Sequence, residues 1–456
     1  MGKMIYCHVG LRNKLLLAFL FLYGLSFAQT YTIKQKFTDD YIEVQPFNQG
    51  LYCLFRTSEK KAPTTTFMKV FLNEELRATD SVNYSIAGRA NLLASYVNGK
   101  FLVHAFYSKE SNSEKIIFYV CTTEGKILSS FIKTAADFSR YFPKSIKKLK
   151  NLELSFVPNA QSPDMLLVQA YLAYGSYPLR SQLVAFNMED GRELWISNAP
   201  FFNLIQTTEN LIIGLTSTMT GSAFNSNYLQ QIHFVDKSSG KLTKSILLGD
   251  GGKNFRNVSV FTTNGIDLMV AGAEYESANS KNGKFYMSMF DLSGQPIFDQ
   301  VDSAARLSTR RMHLMGSVFN QDGNLVLVGE GFKLDATRMV ATTAVSILLG
   351  VPQVVGGLDH KIDHLIIATL SSTDGKLTDF KSFPVGPWLS YGRLLTYDSK
   401  IILIVSGQVL VYDANETNSA PSLFATLNTG ENLILTSFGP IKSKRTNRLI
   451  TLSRFH

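Results

Sequence analysis

Apolar residues along this chain recur in short runs with a period of two, broken by Gly, Asn and Asp, and a 3.6-residue period is almost absent. The runs IIFYVC, SQLVAFN, QQIHFVD, KFYMSMFD, HLIIATL and QVLVYD alternate as half-covered strands do. Five of them end on a small turn that carries Gly125, Gly191, Gly240, Gly294 or Gly375. A second series of turns, at Gly50, Gly99, Asp164, Asn210, Gly265, Gly323 and Ser399, precedes more continuously apolar runs: LYCLF, FLVHAF, MLLVQAY, LIIGL, DLMVAGA, LVLVGEG and IILIVS. Seven units therefore repeat one order: strand, turn, apolar strand, connection, alternating strand, turn, strand.

Successive turns of the second series lie roughly 45 to 75 residues apart, near the period of four-stranded repeat units that carry insertions. Four antiparallel strands repeated this often are best closed into a ring, because an open array would leave exposed edges. The pattern predicts an all-β chain, a β-propeller of seven to eight four-stranded antiparallel blades. Strands at Tyr31 to Phe37 and within residues 431–455 would form an eighth blade from both chain ends; seven blades with terminal extensions is the alternative. A β-helix or two stacked sandwiches are the structural rivals. The segment LVAFNMEDGRELW, Leu183 to Trp195, resembles the repeat of the quinoprotein-like and WD-like propeller superfamilies, in which a strand, an acidic-Gly turn and a Trp recur. The resemblance covers the strand arrangement from about residue 30 to 455. It carries over no cofactor and no catalytic residue, since the chain has only Trp195 and Trp388.

Residues 1–14 carry Lys3, Arg12 and Lys14 with no acid, residues 15–28 read LLLAFLFLYGLSFA, and Ser26 and Ala28 precede Gln29. These are the three regions of a secretory signal peptide, and the apolar run falls short of the roughly 18 to 20 residues that span a bilayer. Cleavage after Ala28 is expected, leaving residues 29–456 as a single propeller domain exported to the periplasm, cell surface or medium of a Gram-negative-type bacterium. Cleavage lowers the formal charge from +9 to +6, so composition gives no reason to expect a nucleic-acid partner. The low charged fraction, 18%, suits stacked blades that are covered on both faces. Cys53 and Cys121 sit within apolar runs and read as small buried hydrophobes.

Two segments depart from the repeat. Residues 333–363 replace a short connection, and Met339 to Gly357 within them carry no charge but are interrupted by Gly350 and Pro352. The readings are a helix packed on a blade edge, or contact with a membrane surface or partner, which would make the chain an envelope-complex component. The other segment, Arg140 to Lys150 (RYFPKSIKKLK), is the strongest basic run.

No metal is expected. His360 and His364 flank a strand start, where residues four apart lie ~13 Å from one another. No nucleophile elbow, Walker motif or paired carboxylate is evident, and the acids of the first strands are Glu43 and Glu153. Catalytic residues and cofactors are therefore read as none. A base does recur near the start of the first strands: Arg89, Lys150, Arg256, Arg311 with His313, and Arg393, with Asn91, Asn203 and Asn257 close by. Guanidinium forks suit anionic groups, so these six residues form the expected ligand site at an axial channel mouth. The alternative is that each Arg pairs with an acid inside the scaffold. The chain thus reads as an exported, non-catalytic binding or scaffold propeller for a protein, glycan or other anionic partner. A carbohydrate-active enzyme or quinone-linked oxidoreductase is the competing reading.

Overall fold

The computed structural model describes residues 30–34, 42–47, 50–58, 63–97, 101–111, 113–122, 126–139, 152–159, 162, 164–174, 177–197, 199–222, 225–249, 254–276, 283–302, 311–334, 360–388, 393–397, 399–405, 408–416, 420–428, 431–436, 439–446 and 449–454. Alternation and turn chemistry give eight four-stranded antiparallel sheets. Seven follow one another along the chain, at residues 42–87, 89–134, 152–197, 204–247, 255–302, 311–388 and 393–426, and are numbered blades 1 to 7. Blade 8 combines the last three strands, Glu431–Thr436, Gly439–Thr446 and Leu449–Arg454, with the first strand of the chain, Thr30–Lys34. Thr30 stands opposite Ser453 and Lys34 opposite Leu449, so the two chain ends share one sheet. The fold is of the β-propeller class, with eight four-stranded sheets among the described residues.

Packing divides the chain into two compact units. One comprises Met1–Thr57, Phe67–Asn83 and Gly430–His456; the other comprises Ser58–Thr66 and Tyr84–Thr429. In the first, the opening strands of blades 1 and 8 lie side by side, and Leu51, Cys53, Val70, Leu72 and Leu76 form the core of blade 1. In the second, the first strands of blades 2 to 7 succeed one another side by side.

Burial grades outward through each blade. The second strand of blade 5, Asp267–Tyr275, is buried at every position but the first. The fourth strand of blade 4, Leu242–Leu247, is half-buried at Lys244 and Ile246 and exposed elsewhere. This gradient is why the second strands read as continuous apolar runs and the third strands as alternating ones. Cys53 and Cys121 are buried free thiols; burial raises the Cys53 pKa, and Cys121 Sγ lies 3.2 Å from Tyr84 Oη.

The turn glycines have a packing role that the repeat pattern does not reveal. Gly191, Gly240, Gly294 and Gly375 have φ between +67° and +77°, and each backs onto a side chain of the preceding blade: Phe131, Trp195, Lys244 with Phe234, and Phe298 respectively. The Trp position of the resembled repeat is thus a seat for the next blade's turn, which Phe and even a Lys stem can fill. The fourth strands of blades 2 to 7 also each carry a one-residue bulge just after this turn, at Leu128, Leu194, Thr243, Ile297, Thr378 and Phe424. Six equivalent bulges confirm the register of the repeat and twist the outer edges away from further pairing.

The insertion of blade 6 is narrower than the sequence pattern implies. Leu334 pairs with His360, and Lys333 with Lys361, so the flanking strands extend into it. Residues 335–359, including Met339 to Gly357, lie outside the described residues, as do Arg140 to Lys150.

Candidate functional site

Four of the predicted bases lie at or next to the start of a first strand in the larger unit. Arg89, Arg311 and Arg393 are the opening residues of the first strands of blades 2, 6 and 7, and Arg256 is the second residue of that of blade 5. Lys150 lies outside the described residues. Arg311 is opposite Phe332, His313 opposite Glu330, and Arg393 opposite Ile404. His360 and His364 both fall in one strand, His360–Leu370, and are too far apart to share a metal.

Arg256 is committed inside its own blade, which corrects its expected place at a ligand site. Its side chain is 5% exposed; Nε donates to Glu274 Oε2 at 2.7 Å, and Nη1 and Nη2 donate to the Asp299 carboxylate at 2.8 and 3.1 Å. Nη1 also reaches Ser288 Oγ at 3.1 Å, and the guanidinium stacks 4.7 Å from the Tyr286 ring centroid. Burial alone would lower its pKa, but the bonds from Asp299 and Glu274 outweigh that and hold it above the ordinary value. A buried guanidinium with four of its five N–H groups engaged ties strands one, two, three and four of blade 5 together, and its burial closes it to a ligand.

Arg89 is different. It is exposed, and its cross-strand neighbour is Lys109, so two cations stand directly opposite one another. Glu114 lies 3.7 Å from Lys109 Nζ, while Arg89 has no acid within ion-pair distance among the described residues. Like charges placed opposite one another cost a few tenths of a kcal/mol unless an anion bridges them. Asn91, two residues on, is exposed on the same side of the strand, opposite Tyr107. Burial and the Glu114 carboxylate push the Tyr107 hydroxyl up to about 12.

The first-strand starts of blades 3 and 4 hold a second group. Glu153 is exposed and stands opposite Tyr171, whose hydroxyl donates to it; burial and this bond push the tyrosine up to about 12. The Tyr171 ring meets Phe201 edge-on, with centroids 4.9 Å apart, and both side chains are half-buried. The segment bearing Phe201 is pinned. Gln169, two residues before Tyr171 on the same strand, accepts from Phe202 N at 3.0 Å and donates to Phe202 O at 3.1 Å. Asn203 N donates to Leu215 O, and Asn203 Oδ1 accepts from Ser217 N at 3.0 Å, leaving its amide nitrogen as a donor on an exposed side chain. Sequence reasoning passed over Tyr171 and Phe201. The available signal was the Pro-Phe-Phe-Asn connection at residues 200–203, too short to bury two neighbouring aromatic rings.

The chain is therefore a β-propeller protein with surface groups clustered where its first strands begin. It is similar in fold to the β-propeller domain of the Trilobed protease from Pyrococcus furiosus, at 11% identity over 87% of this chain and 98% of that one, with a TM-score of 0.39. The Neurospora crassa Pan2 WD40 domain is matched at 11% identity over 91% and 88% of the two chains, with a TM-score of 0.33. The Penicillium chrysogenum alpha-L-arabinanase is matched at 9% identity over 67% and 92%, with a TM-score of 0.37. No protein-family profile and no curated protein matches the sequence.

Proposed function

We propose that this chain is an exported propeller that works by binding, and that it holds an anionic group of a ligand or partner where the first strands begin. The observation that carries the reading is the exposed pair Arg89 and Lys109, opposite one another across two strands, with Asn91 beside them. A carboxylate, sulfate or phosphate placed between them would relieve their repulsion and accept from both. Arg311 and Arg393 open the first strands of blades 6 and 7. Export rests on the basic, apolar and small-residue regions of residues 1–28.

Titration with dextran sulfate, with uncharged dextran as the control, tests the reading. The mature chain should bind the sulfated polymer, more weakly as salt is raised, and the double variant Arg89→Gln/Lys109→Gln should bind about tenfold more weakly. Equal binding by that variant would overturn the assignment. An exported product whose amino terminus is Gln29 is the expected result for the leader.

A further inference from the structure

We infer that the pinned group of Glu153, Tyr171, Phe201 and Asn203 is a binding platform for a neutral sugar ring of a glycan. This goes beyond the anion reading, because its residues offer no cation and lie on blades 3 and 4. Recognition of a pyranose needs an apolar surface for its C–H face and hydrogen-bonding groups of both kinds for its equatorial hydroxyls. The half-buried rings of Tyr171 and Phe201 supply the surface. Glu153 supplies acceptors: one hydrogen bond comes from Tyr171, and a carboxylate with two oxygens has capacity to spare for a sugar hydroxyl. The Asn203 amide nitrogen supplies the donor, since its oxygen is taken by Ser217 N.

The arrangement is held in place before any ligand arrives. Gln169 clamps the Phe202 backbone on both its N–H and its C=O, which fixes where the neighbouring Phe201 ring stands. Asn203 is fixed at its backbone by Leu215 and at its side-chain oxygen by Ser217. Groups ordered in advance lose little freedom on binding, which matters for a ligand as polar and well hydrated as a sugar. An open strand end with two aromatic edges also suits a residue within a longer chain better than a free monosaccharide.

An array of neutral and acidic oligosaccharides, followed by calorimetry with the best neutral binder, tests the inference on the mature chain. At least one neutral oligosaccharide should bind, and Phe201→Ala should weaken it tenfold or more. Glu153→Gln, at an exposed position where folding is not at stake, should weaken it at least fivefold. Lys241→Ala, at the opposite end of blade 4, should leave it unchanged. Thermal midpoints of all variants check that the blades are intact. Absence of any neutral binder, or binding indifferent to Glu153→Gln, would overturn the platform. Neither outcome touches the Arg89 reading, which the sulfated polymer reports separately.

Discussion

Arg256 shows how one side chain can look like a ligand contact in the sequence and be part of the scaffold in the fold. Its partners Glu274 and Asp299 are 18 and 43 residues away and meet it only because the register of blade 5 carries all three across one face. Removing the cation strands a nearly buried carboxylate, Glu274, whereas Asp299, with a side chain 43% exposed, can turn to water. Arg256→Met should therefore cost about 3–5 kcal/mol, the usual penalty for breaking a buried pair on one side. Arg256→Met/Glu274→Leu should recover most of it, because an apolar pair of similar volume has no desolvation to repay. Urea midpoints of the two variants check this; a double variant as unstable as the single one would show that the network has another role.

At the scale of the strand and its turns, glycine is required for two separable reasons. Gly240 has φ +67° and is packed against the Trp195 indole, while Gly265 has φ +91° and open space around it. Gly265→Ala should cost only the backbone strain, about 1 kcal/mol, whereas Gly240→Ala adds overpacking at a blade junction and should cost about 2–4 kcal/mol. Differential denaturation of the two variants measures the gap, and equal losses would refute the seating of turns on neighbouring blades. The strands and their turns were readable in the sequence because period-two burial and positive-φ turns are local. The six bulges and the turn seats were not, since both depend on which residue of another strand or blade lies opposite. The same limit governed the site: the positions of Arg89, Arg311 and Arg393 followed from counting back from the turns, while the Glu153, Tyr171 and Phe201 cluster is assembled from a first strand, a second strand and the connection to the next blade.

For the whole molecule, the decisive contact is the pairing of Thr30–Lys34 with Leu449–Arg454. The first strand of the chain completes a sheet whose other three strands are the last to be made. That sheet cannot form until synthesis, and the proposed export, are finished, which is a contact of the highest possible sequence separation and is slow to form. The expected leader cleavage after Ala28 leaves a single residue, Gln29, ahead of this strand, so processing would release the strand without shortening it. Without it, Leu449–Arg454 becomes an edge with unpaired N–H and C=O groups. A chain starting at Gln35 should show faster amide exchange across Leu449–Arg454 and concentration-dependent self-association, while blades 3 to 5 in the other unit keep their protection. A synthetic peptide of residues 29–35 added in excess should restore slow exchange to that strand. Protection of Leu449–Arg454 that does not depend on residues 30–34 would mean that the chain ends are held by something other than this pairing.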